Sequence, residues 1–292
     1  MSKLRRYAFE ERVGKNNWYT TQSLTAQILG KQSGLSDFFK DALTIIEAAK
    51  QKYIELRLMG ATAIYYRCPK SRQLTDTMNR PLTDLDFMTL SRYVRHIPDL
   101  FSSLGFEGNE RVNTLYGLRR QIYTDPRNGR RVDIFVDKLT FCHKVDLTRR
   151  LETDPITLTL ADLLLEKMQI VKIGEKDVKD TVILLREHEL GDEDNDTINM
   201  RYIAELLADD WGFYYTVTTN LKKTRDYVDT LQMLKPDEKG LVQSRIDALL
   251  DGMEKEGKSL KWRLRAAAGT KVKWYDEAEE VEDRGTGEPK TL

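Results

Sequence analysis

Asp84-Leu85-Asp86-Phe87-Met88-Thr89 is the stretch on which the reading of this chain turns. Polar and apolar residues alternate as far as Met88. That is strand periodicity, and it sets both aspartates on one face. Two carboxylates at this spacing repel each other unless a cation lies between them. A hard divalent ion such as Mg²⁺ (or Mn²⁺) takes oxygen ligands, often one or two carboxylates together with substrate phosphates. Asp84 and Asp86 are therefore candidate metal ligands.

Upstream, Leu56-Arg57-Leu58-Met59 reads as a short strand that ends at Gly60, and Ala61 to Tyr66 as one or two helical turns. A strand–glycine–helix junction exposes backbone N–H groups at which a phosphate can bind. Downstream, Asp125-Pro126-Arg127-Asn128-Gly129 is a strong turn sequence, so residues 112–124 and 130–137 are expected to form a hairpin. Within Arg131-Val132-Asp133-Ile134-Phe135-Val136-Asp137, Asp133, Phe135 and Asp137 share one strand face. If this strand lies beside Asp84–Thr89, Asp133 becomes a third carboxylate at the metal site. A buried salt bridge with a neighbouring arginine is the alternative, and Asp137 at the strand end is expected to be exposed.

The order of glycine turn, Asp-x-Asp strand, hairpin and Asp strand resembles the nucleotidyltransferase fold of the DNA polymerase β superfamily. The matching residues are Leu58-Met59-Gly60-Ala61, then Arg80-Pro81-Leu82-Thr83-Asp84-Leu85-Asp86, then Val132-Asp133-Ile134-Phe135. The Arg-x-x-Thr-Asp-x-Asp run looks most like the AbiEii-like branch, which includes toxins of toxin–antitoxin and phage-defence systems. Ala161 to Ile170, with Lys167, and then Lys176-Asp177-Val178-Lys179-Asp180 are similar to that branch's lysine-bearing helix and basic-Asp-x-x-Asp segment. The resemblance spans about residues 55–190. Two features depart from it: Ala61 stands where the family has Gly or Ser, leaving Thr62 as the next hydroxyl, and the stretch from Gly60 to Asp84 is long.

The resemblance implies an Mg²⁺-dependent enzyme that moves an NMP from an NTP to a hydroxyl acceptor, with RNA (a tRNA 3′ end above all), protein or a small molecule as acceptor. A cognate antitoxin is the implied partner of a toxin. Asp84, Asp86 and Asp133 would hold metal ions. Asp133 would also help deprotonate the acceptor. Gly60, Ala61 and Thr62 would hold phosphate oxygens, with Arg80, Thr83, Lys176 and Asp177 as further nucleotide contacts. Lys167 would neutralise triphosphate charge from the helical half. Asp177 and Asp180, at i and i+3 on one helical face, would position the acceptor or base, or hold Lys167. Arg80 pairing with an acid and doing nothing else is the plainer reading of that residue. The competing function is a catalytically inactive nucleotide-binding or partner-binding module on the same fold.

Around this centre the rest of the chain reads as α+β followed by helix. Asp37 to about Glu55 carries apolar residues at helical spacing, and Cys68 to Thr83 reads as a polar loop. Ser91 to Leu104 is an expected helix with Gly105 at its C-terminal cap. Thr159 can cap a helix beginning at Leu160, Gly174 interrupts it, and a second helix follows to His188. Further helices are expected over 197–210, 217–234 and 236–256. The fold class is thus a nucleotidyltransferase-like mixed sheet with flanking helices and a helical C-terminal half. The division is 1–145 (core about 37–140) for catalysis, 146–275 completing the cleft, and an acidic, disordered 276–292 tail. The aromatic run Trp211-Gly212-Phe213-Tyr214-Tyr215 is expected to pack in the core rather than stack on bases.

Composition sets outer limits. Of 292 residues, 40% are hydrophobic, enough for a sizeable core, and 47 bases balance 47 acids, so no global field draws the chain to a polyanion. Local segregation remains: six arginines and one acid between Arg111 and Arg131, and six acids with no base between Glu187 and Asp196. Such runs are expected to be solvated loops or faces, the first with a slight preference for a polyanionic acceptor touching Arg119 and Arg120. Two distant cysteines form no disulfide framework, and no apolar run approaches the ~20 residues of a membrane span. The expectation is a soluble, cytoplasmic protein with no membrane partner.

Overall fold

The computed structural model describes residues 37–277, so the acidic segment from 278 onward and residues 1–36 lie outside the described residues. Helix α1 (Asp37–Gln51) buries Phe39, Ala42, Leu43, Ile46 and Ala49, a stripe at helical spacing. It ends before residue 55 because Tyr53 turns into the left-handed region, φ 57°, and Ile54 N–H closes back on Ala49 C=O. Strand β1 (Leu56–Met59) is buried throughout and runs directly into helix α2 (Gly60–Arg67).

The stretch 68–83 is not one loop. A 3-10 turn (Pro69–Ser71) leads into helix α3 (Arg72–Thr77), where Leu74 and Met78, four residues apart, reach the core. Polar residues outnumber that apolar pair and mask the period. Strand β2 (Asp84–Thr89) follows. The helix expected over 91–104 divides into a 3-10 turn (Ser91–His96) and helix α4 (Ile97–Ser103). Pro98 has no N–H to donate into a preceding turn, so it sits in the first turn of α4. Gly105, φ 82°, closes α4 as the sequence predicts.

After strand β3 (Glu107–Gly108) the chain departs from expectation: Glu110–Tyr116 is helix α5, not strand. The Asn109 side chain accepts the Val112 N–H at 3.0 Å, an N-cap that the valine and leucine content conceals. Strands β4 (Arg120–Asp125) and β5 (Arg130–Val136) form the expected hairpin, with Gly129 at φ 71° in its turn. The five-stranded sheet has the order β1-β2-β5-β4-β3. In it β2 is antiparallel to β1 and parallel to β5. Asp137 leaves the β5 end in the left-handed region, half-buried, and its carboxylate accepts the Ser91 N–H at 2.8 Å.

A small hairpin, β6 (Lys138–Thr140) and β7 (Lys144–Asp146), precedes the helical half. Residues 156–158 then run alongside β1: Leu58 N–H bonds Ile156 C=O at 2.8 Å and Leu158 N–H bonds Leu58 C=O at 2.9 Å. This bridge delivers helix α6 (Leu160–Met168), capped by Thr159 and buried on every side, against α2. Helix α7 (Glu175–Glu187) packs on both. Two short strands, β8 (Leu190–Gly191) and β9 (Ile198–Asn199), lead to α8 (Met200–Leu207), α9 (Trp211–Thr230), α10 (Pro236–Lys255) and α11 (Leu260–Ala268). Asp210 caps α9 at Phe213 N–H, so that helix starts six residues before the expected 217. Trp211 and Phe213 are buried, as the core reading of the aromatic run requires, whereas Tyr215 is exposed. One buried apolar cluster extends from Ala42 to Met253 through both halves. The fold is α+β, a small mixed sheet with many helices, and no helix among the described residues is long and apolar enough to cross a membrane.

Candidate functional site: an acid-rich joint between sheet and helices

The β2–β5 register sets Asp86 directly beside Asp133 and Asp84 beside Arg131, while Met59 of β1 lies opposite Asp86 on the other side. The sheet therefore gathers the three carboxyl-bearing positions near the β1–α2 turn. Gly60 occupies that turn at φ 71°, and a Cβ there would run into the Asp86 carboxylate. Only glycine meets both demands, a left-handed backbone and an acid packed against it.

The helical half closes the turn. Gly60 N–H donates to Glu166 Oε2 at 3.0 Å, and Glu166 Oε1 lies 3.1 Å from Lys167 Nζ. Lys167 also faces Asp180 at 3.5 Å and Asp177 at 3.7 Å. Asp180 is in turn gripped by Arg80, with Nε to Oδ1 at 2.8 Å and Nη2 to Oδ2 at 2.7 Å, a fork-on-carboxylate pair. Arg80 spends its remaining Nη1 on Pro81 C=O. Asp133 is held from both sides, by Arg120 at 2.7 Å and by Arg131 at 2.8 Å. Arg120 also lies over the Phe135 ring.

The other expected contacts are placed as follows. Thr83 is exposed and donates its hydroxyl to Asp84 Oδ1 at 3.0 Å. Thr62 is buried and its hydroxyl is directed at the Asp84 C=O at 3.2 Å, so it is not presented to a phosphate. Ala61 borders a small cavity with Thr75, Arg80, Leu82 and Asp180. Lys176 stands exposed at the start of α7. The structure thus brings together Gly60, Asp84, Asp86, Asp133, Lys167, Asp177, Asp180 and Arg80, and leaves Lys176 outside.

Two residues were missed in the sequence. Glu166 is one, and its signal was a Glu-Lys pair in a helix otherwise apolar throughout. Arg120 is the other: it looks like a solvent-facing hairpin charge but pairs with buried Asp133. In the acidic run from Glu187 to Asp196, Glu189, Asp192, Glu193 and Asp196 are exposed, as expected of a solvated loop, but two of its acids are tied to the fold. Asp194 pairs with Arg150 at 2.8 Å and Asp196 with Arg67 at 2.6 Å.

The electrostatics follow from this crowding. Burial first, then the charges of Asp84, Asp133 and Glu166, push the Asp86 carboxyl well above the usual carboxylate range, with Lys167 opposing. Burial raises Asp177 too, partly offset by Lys167. Burial disfavours the Lys167 ammonium, yet Glu166, Asp180, Asp177 and Asp86 together hold it above the ordinary lysine range. Six carboxyl groups (Asp84, Asp86, Asp133, Glu166, Asp177, Asp180) meet four cationic side chains (Arg80, Arg120, Arg131, Lys167), so the acids outnumber the bases by two. Among the described residues, no three acids, cysteines or histidines already converge as a metal cage. Comparison of the chain with family models, curated proteins and solved structures found no match.

Proposed function

We propose that this chain is a divalent-metal-dependent nucleotidyltransferase that moves an NMP from an NTP to a hydroxyl acceptor. The observation that carries the reading is the pairing of Asp86 with Asp133 across β2 and β5, beside a left-handed Gly60 closed on the Asp86 carboxylate. The donor set suits a hard divalent cation: it is all oxygen, and its acids crowd one another enough to raise the Asp86 carboxyl, which a cation would relieve. Asp84 and Asp86 would hold such an ion, with Asp133 as the third carboxylate. When bound, it supplies charge neutralisation for the phosphates and for the leaving pyrophosphate.

The chain's own residues do the rest. Asp133 accepts the acceptor's hydroxyl proton. Lys167, kept protonated by its acidic neighbours, brings a positive charge to the triphosphate from α6. Asp177 and Asp180 hold that ammonium in place, and Arg80 holds Asp180. The acceptor classes are RNA, tRNA above all, then protein or a small molecule. A toxin with a cognate antitoxin is the biological setting the resemblance favours.

One observation favours the second reading, a binding module without turnover: Asp133 is locked between two arginines. The experiment that decides incubates the protein and Asp86→Ala with Mg²⁺, each α-labelled NTP, and total RNA, protein extract or a small-molecule pool. Label entering one pool and lost in the folded variant supports transfer. Equal labelling by the variant sinks it. NTP binding with no pyrophosphate release favours the module. Expression alone in cells, with growth followed, tests the toxin role, and continued growth argues against it.

A further inference from the structure

We propose that the groove between the Ser91–His96 turn and the end of α5 docks an acidic peptide segment of another protein, one that sets apolar side chains between its carboxylates. The inference does not depend on the transfer reading. The groove has a volume of about 600 Å³. Val94, Arg95 and Pro98 form one bank, and the stretch from Asn113 to Arg119 forms the other. Buried Gln121 of β4 joins them: its Nε2 donates to Val94 C=O at 3.3 Å and to Gly117 C=O at 3.1 Å, and its Oε1 accepts the Tyr123 hydroxyl at 2.6 Å. Asn113 is pinned to the Ile122 backbone by two further bonds, at 3.1 and 2.7 Å. A Cβ at Gly117 would run into the Asn113 C=O, so the glycine lets the chain turn closely off α5. The groove is thus built before any ligand arrives, which lowers the ordering cost of binding.

Its rim is apolar and cationic. Leu118, 79% exposed, is the most exposed large apolar side chain among the described residues, and Leu115 and Tyr116 stand exposed beside it. One exposed leucine is ordinary, but three large apolar side chains within four positions at the edge of a cavity mark a contact surface. Arg95 and Arg119 line the groove, and Arg111 lies one helical turn before Leu115. All three are exposed, and none has an ion-pair partner among the described residues. No acid lines the groove.

These properties select the occupant. Unpaired guanidinium groups take carboxylates, and the leucines take apolar side chains, so the ligand carries both. A second copy of this chain fits poorly, because a two-fold contact sets the same patch against itself and brings the arginines together. An RNA strand fits less well than a peptide. The Asn113 and Gln121 amides are engaged within the chain rather than free to read a base edge, and Leu115 and Leu118 offer nothing to a phosphate.

The test selects random peptides displayed on phage against the full chain, then titrates the enriched sequences, fluorescently labelled, by anisotropy. The expected winners carry Asp or Glu on both sides of apolar residues. Leu118→Ser and Arg119→Glu should each weaken their binding about tenfold, and thermal melts check that these exposed substitutions leave the fold intact. Arg263→Glu makes the same charge change on exposed α11 and should leave binding unchanged. No enriched family, winners without acids, or equal binding by the two groove variants overturns the proposal. An equal loss in Arg263→Glu overturns it too, since the attraction is then to net charge. Two further results overturn it by naming another occupant. One is a labelled single-stranded RNA that binds, and loses affinity in Arg119→Glu, where no acidic peptide does. The other is a dimer in sedimentation that Leu118→Ser dissociates.

Discussion

Asp86 is half-buried and Asp162 fully buried, and at both, burial is the strongest influence raising the pKa. Their neighbours act in opposite senses. Around Asp162, Arg150, Thr159 and Tyr202 all favour the anion. Arg150 Nε donates to Asp162 at 2.9 Å, its Nη1 to Asp194 at 2.8 Å, and its guanidinium lies 3.8 Å over the Tyr202 ring. Around Asp86, Asp84, Asp133 and Glu166 all disfavour the anion and Lys167 alone opposes them. The first cluster is closed by its own partners and ties the 187–196 loop to the fold. The second holds a carboxyl group that its own neighbours push towards the protonated form. A carboxyl raised by burial is common to both, so burial does not separate scaffold from site; the sign of the neighbours does.

That contrast breaks most sharply at Arg150. Arg150→Met leaves Asp162 and Asp194 without their guanidinium and should cost about 3–5 kcal/mol, read as a lower urea midpoint at unchanged slope. A loss under 1 kcal/mol would mean that the Asp162 cluster is no more closed than the Asp86 one.

Next comes acid. His143 is buried, stacks on Phe213 and bonds Thr216 Oγ1 at 2.8 Å; burial holds its pKa at about 4, below the ordinary 6.5. The unfolded chain therefore binds the proton first. The stability contributed by neutral His143 is whole above pH 6.5 and is lost as the pH falls towards 4, about 3 kcal/mol in all. Urea melts between pH 7 and 4 should show that slope in the wild type and a shallower one in His143→Gln. Identical slopes would move the acid sensitivity to another group.

At the site itself, Gly60→Ala should cost about 2 kcal/mol, since it forces a left-handed alanine and a methyl against Asp86. Its effect on metal binding should exceed its effect on stability, and equal effects would make Gly60 a folding glycine only. The smallest expected effect has the opposite sign. Asp86→Asn removes one of several like charges and should stabilise the fold by about 1 kcal/mol near neutral pH. A destabilised Asp86→Asn would mean that Asp86 has a compensating partner like that of Asp162.

Local features were readable in advance. The Asp84–Thr89 alternation, the Gly105 and Thr159 caps and the Asp125–Gly129 turn each act within a few residues, and each stands where periodicity set it. The misread segments share a cause. In 112–116 a single capping Asn109 outweighs a strand-like composition, and in 91–104 one missing N–H at Pro98 splits a helix. Among site residues, Asp84, Asp86 and Gly60 were visible because their spacing is short. Glu166 and Arg120 were not, because each meets its partner only after distant elements pack.

The sequence alone determined strand β2, the β4–β5 turn, the glycine turn and the shared face of Asp84 and Asp86, since these follow from backbone sterics and side-chain period. Tertiary structure decided the rest: that β5 lies parallel beside β2 with Asp133 at Asp86, and that Glu166 reaches Gly60 across 106 positions. Strand order and helix docking depend on how much apolar surface the whole assembly removes from water, a sum that no local stretch contains.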